Sequence, residues 1–480
     1  MAQGHAHSKN GAQVKDLTQG SITRQLVAMA VPIGIGMLFQ TLYFVVDLYF
    51  VARLGDAAIA GVSAAGTITF VILALTQMLG VGTVALVSHA VGRKDRAEAN
   101  LVFNQSVLLS AICGVLTLAA GFLVGGAYVR SLAADPAAAA AGVAYLYWYT
   151  PGLALQFALV AMGSALRGTG IVQPTMIVQM LTVILNTVLA PVLIAGWGTH
   201  HPLGTAGAGL ASSIAVAFGV AFLWIYFVRL EHYVGLRPDQ WRPRLPLIRR
   251  ILNVGLPAGG EFLMMFVILG VIYWVIRGFG PAAQAGFGVG GRVMQALFLP
   301  VMAIAFAVPA VAGQNFGARQ YGRVRETIRK AVLMSCVLMV AITLLCQWRS
   351  EVFIEFFTRQ PDAVAVGASY LRIISWNFLA TGLIFTCSGA FQALGNTWPS
   401  LLSSVARLLT FVLPAVLLST LPHFTLTQVW YLSVASVTLQ ALTSLALLLR
   451  ELRRRLVAPP AATGGTPGDD AVPLASAADG

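Results

Sequence analysis

QLVAMAVPIGIGMLFQTLYFVVDLYFV, residues 25–51, is a long apolar stretch that carries one charged side chain, Asp47. About 20 mostly apolar residues suffice for a helix to cross a bilayer, so this stretch predicts a membrane span. The 480-residue chain is 58% hydrophobic and only 10% charged, whereas a soluble domain carries roughly 25% charged residues. The composition therefore predicts an integral membrane protein without a large soluble domain.

Eleven further apolar stretches follow along the chain, which predicts twelve membrane spans. Backbone polar groups in lipid need partners within the segment, so each span is predicted to be a helix. A closed β-barrel would need strands of about ten residues with alternating polarity, and these stretches are too long and too uniformly apolar. The predicted fold is an all-α integral membrane protein.

The longest polar interruption, residues 230–250, divides the spans into two groups of six. We predict a cytoplasmic N-terminal tail at 1–24 and a six-helix bundle at 25–229. A cytoplasmic linker at 230–250 and a second bundle at 251–450 follow. The remaining residues, 451–480, are rich in Ala, Pro, Gly and Asp and are predicted to form a disordered tail.

The positive charges lie unevenly about the predicted spans. Of the 30 Lys and Arg residues, 22 fall in the two tails and the even-numbered loops, five in the odd-numbered loops and three within spans. Positive residues accumulate on the cytoplasmic side of a membrane. We therefore predict a multi-pass protein of the plasma (inner) membrane with both termini in the cytoplasm. The same pattern accounts for the net charge of +13 without nucleic acid as a partner.

The two halves also repeat each other at one constant offset, without gaps. Pro32 matches Pro257, Gly92 matches Gly317, and Tyr145 matches Tyr370. Such matches mark backbone geometry rather than general apolarity, because Gly and Pro have special conformations. With six spans each, the halves have the same orientation. Two parallel, pseudo-symmetric bundles with a central cleft are typical of secondary transporters, whose sites lie between the repeats.

Several stretches in order resemble one known family. They are VPIGIGMLFQTLYFVVDLYFVARLGDAAIAGVS (31–63), GVGTVALVSHAVGRKDRAEA (80–99), GSALRGTGIVQPTM (163–176), FAVPAVAGQNFGARQYGRVRE (306–326) and FQALGNTWPSLL (391–402). Over residues 17–450 the chain resembles the multidrug and toxic compound extrusion (MATE) transporters. The resemblance implies a secondary active antiporter that exports cationic or amphipathic small molecules in exchange for protons or sodium by alternating access.

The sequence departs from the family pattern in two places. A second carboxylate often follows the fifth-helix asparagine by four residues, and here Ala190 follows Asn186. In the seventh span, Met265 stands where some members carry an acid, and Glu261 lies one turn after Pro257. The first half therefore has one acid inside its spans, which favours a proton over a sodium ion that needs several oxygen ligands.

Asp47 is the leading candidate for cation coupling, because a charge inside an apolar helix is costly and desolvation favours its protonated form. Asn186, Tyr43 and Ser212 are candidates for the same cluster. A static polar contact between helices is the alternative role for each of them. Pro32 gives the first span a bend point, and Pro257 is its counterpart.

A substrate site or second ion site is predicted in the second half. Glu261 is its acid, and a buried pair with an arginine such as Arg292 or Arg407 is the alternative. Arg292 and Arg407 are candidates for the same site, with pairing to acids, carbonyls or lipid headgroups as their alternative role. Met265 and Trp376 are predicted to line a promiscuous cavity there, because flat and polarizable side chains suit varied cations.

Two other functions compete with drug export. One is a flippase for lipid-linked precursors with a related fold, for which more spans and a more cationic cavity would be expected. The other is a polytopic membrane enzyme. The seven histidines form no ligand motif, and no phosphate-binding loop is present, so we predict no enzyme activity, no metal site and no cofactor beyond the coupling H⁺ or Na⁺. The expected partners are drug-like small molecules and membrane lipids, and the chain is predicted to be a monomer.

Overall fold

The computed structural model describes residues 15–456, apart from positions 134, 199, 232, 356–359 and 421–422. Most of the predicted tails, residues 1–14 and 457–480, lie outside this range. The helices are α1 (Ile22–Ala52), α2 (Asp56–Gly92), α3 (Arg96–Leu123), α4 (Gly125–Leu132), α5 (Pro136–Gly168), α6 (Gln173–Ala195), α7 (Gly204–Arg229), α8 (Leu245–Ile276), α9 (Pro281–Gly317), α10 (Tyr321–Glu355), α11 (Pro361–Ile374), α12 (Asn377–Ala393), α13 (Trp398–Ser419) and α14 (Leu426–Arg455).

The number of spans confirms the twelve-helix prediction. In the described part of the chain, 11 helices are long and apolar enough to cross a membrane. The bent pair α11 and α12 passes the same length and apolarity test together, which gives twelve when the pair is counted as one span. Large apolar side chains such as Val115, Leu116 and Leu344 remain more than 60% exposed, as expected for a surface whose solvent is lipid.

The tenth of the twelve predicted spans is broken, although each span was predicted as one helix. It bends by 60° between Ile374 and Asn377. The Ser375 side chain bonds the carbonyl of Arg372 and also accepts from Gln347. Local side-chain bonds of this kind compete with the helical ladder, and hydropathy does not report them.

The predicted repeat is visible in the helix boundaries. α9 begins and ends at the repeat positions of the first and last residues of α2, and the start of α10 matches that of α3 in the same way. α5 matches the combined length of α11 and α12, so the second half bends a helix that the first half keeps continuous. The two halves are therefore equivalent bundles of six spans.

The halves meet through small residues on the central helices. A Cβ on Gly82 would lie 2.4 Å from the carbonyl oxygen of Ile251, and one on Gly255 would lie 2.0 Å from that of Met78. Glycine is required at these positions because α2 and α8 approach backbone to backbone. Helices α1 and α9 are the repeat equivalents of α8 and α2, and they meet at Gly34 of α1 and Ala303 of α9.

The central helices α2 and α9 pack closely at one end, and glycines nearer their other end have no close neighbour. Where α2 and α9 end, a Cβ on Gly92 would lie 2.0 Å from the carbonyl oxygen of Gln314, and one on Gly317 would lie 2.2 Å from that of His89. Nearer the start of the same helices, Gly66 and Gly291 have no neighbour within 4 Å of an added Cβ. We call these the closed end and the open end.

The boundaries of the predicted tails differ from the structure, and α8 begins at Leu245, inside the predicted linker 230–250. Residues 15–21 precede α1 as a packed segment, the N-terminal strap, in which Leu17 is fully buried. Its backbone donates to Gln314 (3.0 Å) and accepts from Asn315 (3.1 Å). At the other terminus α14 continues to Arg455, because Glu451 is buried and bonded to Asn396. Residues 451–455 are therefore helical rather than disordered.

Candidate functional site

A cluster of buried polar side chains lies in the first half, around Asp47 of α1. Asp47 is only 8% exposed, and its Oδ1 atom has no hydrogen-bond partner among the described residues. Asn186 of α6 and Ser212 of α7 are buried, and the Asn186 amide donates to the Ser212 hydroxyl at 3.3 Å. The Asn186 Oδ1 atom, like that of Asp47, has no partner in the described chain.

Tyr43 connects the acid to the amide. It lies one helical turn before Asp47, and its hydroxyl faces Ser212 and Asn186 without a well-formed hydrogen bond to either. The structure thus brings the four predicted residues into one neighbourhood, with Tyr43 next to the other three. Three helices supply it, because α1 and α7 both pack on α6.

Two tyrosines of α5 complete this cluster and were not predicted for it. Tyr145 and Tyr149 are buried, lie one turn apart with their rings 5.3 Å apart, and interact electrostatically with Asp47. The sequence contained one signal, since Tyr145 matches Tyr370 in the repeat. Their four-residue spacing places both rings on one helix face, but which face meets α1 depends on packing.

A second buried acid, Glu261 of α8, is held by hydroxyl groups. One of its oxygens, Oε2, accepts from Ser388 at 2.8 Å and from Ser400 at 2.6 Å. The two serines are themselves 3.2 Å apart, and Gln392 donates to Ser388 at 3.5 Å. Among the described residues no ion pair joins Glu261 to an arginine, and serines supply the donors. Neither serine was predicted, since isolated serines in apolar helices are common.

Glu261 opens onto a cavity formed by α8, α9, α12, α13 and α14. Of the residues named as candidates for this site, Arg407 and Met265 line the cavity, together with Gln440 and Ser404. The Arg407 Nε and Gln440 Oε1 atoms are buried without a hydrogen-bond partner among the described residues. The other walls are mainly aromatic and aliphatic side chains, including Phe262, Met302, Phe306, Ile384 and Phe385.

The structure does not bring Arg292 or Trp376 into this cavity. Arg292 lies on an exposed face of α9, near Tyr273. Trp376 lies at the break between α11 and α12 and is 66% exposed. Residues 375–376 lie between α11 and α12, so the face expected for one straight helix does not describe the position of Trp376. Pro32 and Pro257 lie inside α1 and α8, both assigned as continuous helices.

Chemically, the first cluster has three oxygen atoms without a hydrogen-bond partner among the described residues: Asp47 Oδ1, Asn186 Oδ1 and the Tyr43 hydroxyl. Buried polar atoms normally find partners, so these oxygen atoms can accept a proton or coordinate a small cation. The described residues contain no group of three or more His, Cys, Asp or Glu side chains that could hold a metal ion.

Comparison with known proteins bears on this geometry. The MatE family model matches residues 32–192 and again 257–417, and the two matches begin at the repeated prolines Pro32 and Pro257. The multidrug export protein MepA of Staphylococcus haemolyticus is 25% identical over 451 residues, which is 91% of this chain and 95% of that protein. A Bacillus subtilis protein named "Probable multidrug resistance protein YpnP" is 30% identical over 384 residues, 79% of this chain and 84% of its own.

Solved structures agree on the fold. A MOP superfamily transporter from Pyrococcus furiosus superposes with a TM-score of 0.86 at 24% identity, covering 94% of this chain and 100% of its own. A multidrug resistance MATE family transporter, described as outward-facing, gives 0.86 at 24% identity, with 93% and 99% covered. The two family-model matches and the relatives that span most of this chain confirm the resemblance seen in the sequence. The chain therefore belongs to the multidrug and toxic compound extrusion (MATE) family.

Proposed function

We propose that this protein is a secondary active efflux antiporter that exports cationic or amphipathic small molecules in exchange for protons. The observation that carries the proposal is the buried carboxyl of Asp47, with an unpartnered oxygen beside Tyr43 in an apolar helix. An ionised carboxylate without donors is costly in such surroundings. Proton binding removes this cost, so the protonation state of Asp47 can bias the packing of α1 against α6 and α7.

Proton coupling fits the oxygen atoms available better than sodium coupling does. Asp47 is the one carboxylate of the cluster, and Ala190, fully buried on α6, stands where the family pattern often carries another. The remaining oxygens, of Asn186, Ser212 and the tyrosines, are neutral. Sodium remains the alternative coupling ion, and a transport assay under separate gradients distinguishes the two.

The distribution of charge supports an orientation in the plasma membrane. Arg93, Lys94, Arg319 and Arg323 surround the closed end, and the N-terminal strap and the end of α14 lie there too. By the positive-inside rule, the closed end faces the cytoplasm, with both termini. The open end then faces outward.

Transport follows from two access states with different affinities for the proton and the substrate. In the outward-open arrangement, both ligands exchange through the cleft between the halves. Binding can shift this equilibrium only as far as each ligand prefers one state over the other. We propose that protonation of Asp47 and binding of substrate favour opposite states, with Pro32 of α1 as the bend point.

The second-half cavity at Glu261 is the proposed substrate site. Its acid lies among serines, with Met265, Met302 and aromatic side chains around it. Soft and flat groups accommodate varied organic cations. A monomer contains both proposed sites, so we propose that it is the functional unit.

Ethidium transport into everted vesicles tests the proposal. Wild type, Asp47→Asn, Asn186→Ala and the control Asp56→Asn, which removes an exposed carboxylate at the start of α2, are compared under a pH gradient alone and a sodium gradient alone. We expect uptake driven by the pH gradient, lost in Asp47→Asn, weakened in Asn186→Ala and retained in Asp56→Asn. Uptake that requires sodium would change the coupling ion. Unchanged uptake in Asp47→Asn would overturn the assigned role of this residue.

A further inference from the structure

The cavity at Glu261 contains two opposite charges that do not pair with each other. Glu261 bonds Ser400 of α13, and Arg407 lies seven residues further along the same helix. Seven residues are two helical turns, or roughly 10 Å. No ion pair within the described chain joins Arg407 to a carboxylate. The cavity thus has an anionic end and a cationic end.

Arg407 is poorly satisfied for a buried guanidinium. Its Nε atom has no acceptor among the described residues, and the titratable group that acts on it is the phenol of Tyr370, whose hydroxyl donates to the Met294 sulfur at 3.7 Å. Gln440 donates to Ser404 at 3.2 Å and keeps a free Oε1 atom. A buried charge is normally paired or hydrogen-bonded, so this end of the cavity lacks an anion.

The anion that fits is planar and small. A guanidinium presents parallel N–H groups that match both oxygens of a carboxylate, and such bonds are among the strongest in proteins. At the opposite end of the cavity, the carboxylate of Glu261 is available to a cationic centre of the ligand. Between them, Phe262, Phe306 and Phe385 supply flat walls, and Met265 and Met302 supply adaptable ones.

We propose that the second-half cavity binds zwitterionic amphiphiles, with the cationic centre at Glu261, a carboxylate at Arg407 and an aromatic body between them. This inference rests on the proposed function of the same cavity and narrows its substrate class. A zwitterion satisfies both buried charges at once, whereas a simple organic cation leaves Arg407 without a partner.

Two dyes that differ by one ester form a matched pair of probes. Rhodamine 110 carries a free carboxylate beside its cationic ring system, and rhodamine 123 is its methyl ester, a cation of nearly the same shape. Binding of each to the purified full-length protein in nanodiscs is followed by fluorescence polarisation. The variants are Arg407→Gln, Arg407→Lys, Glu261→Gln and the control Arg292→Gln, which removes an exposed arginine of α9.

We expect Arg407→Gln to weaken rhodamine 110 binding by about 10- to 100-fold, the range for a lost charged hydrogen bond, and to leave rhodamine 123 within about twofold. Arg407→Lys should lose less affinity for rhodamine 110, because it keeps the charge without the planar donors. This variant also tests the role of Arg407 if Arg407→Gln unfolds. Glu261→Gln should weaken both dyes, and Arg292→Gln neither.

Four results would overturn the inference. Equal loss of both dyes in Arg407→Gln would assign the arginine a structural role. No loss of either dye would remove it from the site. A folded wild type that binds rhodamine 123 but not rhodamine 110 would refute the zwitterion and leave cation export standing, whereas failure to bind either dye would count against the proposed function as well.

Discussion

His89 and Gln314 occupy equivalent positions in the two halves, and each bonds a backbone carbonyl of the opposite half. The His89 Nε2 atom lies 2.7 Å from the carbonyl oxygen of Ala393, and the Gln314 amide donates to that of Gly168 at 3.0 Å. The two carbonyls are repeat equivalents of each other, as the two side chains are. Gln314 also accepts from the backbone of Leu17. A symmetric pair of bonds therefore holds the closed end together.

The first prediction concerns opening of the closed end. Gln314→Ala should raise the population of molecules open at that end by about two- to tenfold, because one hydrogen bond contributes about 0.5–1.5 kcal/mol. His89→Ala should act in the same direction. Spin labels at Ala97→Cys and Gly322→Cys, in a background without the four natural cysteines, report the change as a longer distance.

The control for this experiment is Gln320→Ala, an exposed glutamine near the same end. It should leave the distance distribution unchanged. If Gln314→Ala and His89→Ala also leave it unchanged, the symmetric bonds do not hold the closed end.

The second prediction concerns close packing at the same end. In Gly317→Ala the new Cβ would lie 2.2 Å from the carbonyl oxygen of His89, and backbone atoms cannot move aside cheaply. We expect a loss of about 1–3 kcal/mol in the free energy of unfolding, measured by thermal or denaturant unfolding in detergent. Gly291→Ala on the same helix meets no atom within 4 Å and should be neutral or slightly stabilising. Equal stability of the two variants would contradict the close packing at Gly317.

The third prediction concerns two equivalent turns, where Lys94 and Arg319 have φ angles of 59° and 58°. A side chain in this left-handed conformation costs about 1–2 kcal/mol that glycine avoids. Lys94→Gly should therefore be more stable than Lys94→Ala by about 1 kcal/mol. At Arg325, inside α10, the opposite order is expected: Arg325→Ala should be more stable than Arg325→Gly by about 1 kcal/mol. Unfolding measurements on the four variants check both signs, and the same order at the two sites would refute the explanation.

The fourth prediction concerns the linker between the halves. Asn104 of α3 is fully buried, donates to Gly235 (3.0 Å), and accepts from Arg237 (2.8 Å) and the Trp241 indole (3.1 Å). Asn104→Ala leaves these groups unsatisfied, at about 1–3 kcal/mol. We expect tryptic cleavage in the linker about tenfold faster or more, because cleavage follows the open population.

Asn253→Ala is the matched control for the linker, since its side chain accepts one long bond from Trp398 at 3.5 Å. Cleavage in this variant should match the wild type. Cleavage of Asn104→Ala at the wild-type rate would show that other contacts hold the linker.

Much of the fold could be predicted because hydropathy and the positive-inside rule act locally along the chain. The apolar length of each span, the repeat and the polar linker are all properties of contiguous residues. The bend at residues 375–376 could not be predicted in this way, because it involves a side-chain bond that Gln347 of α10 donates to Ser375. The N-terminal strap was likewise missed, since the backbone of Leu17 bonds side chains that lie 297 and 298 residues further along the chain.

For the sites, the amino-acid order alone specifies which charges lie inside the membrane, because an ionisable residue in an apolar span is conspicuous however the helices pack. Asp47, Glu261 and Arg407 were found on that basis. Their partners were set only by helix packing: tyrosines around Asp47, serines around Glu261, and no carboxylate for Arg407 within the described chain. Whether a buried side chain forms a hydrogen bond or leaves a donor unpaired depends on how the helices rotate and cross, to within tenths of an ångström. Hydropathy along one helix specifies neither the rotation nor the crossing.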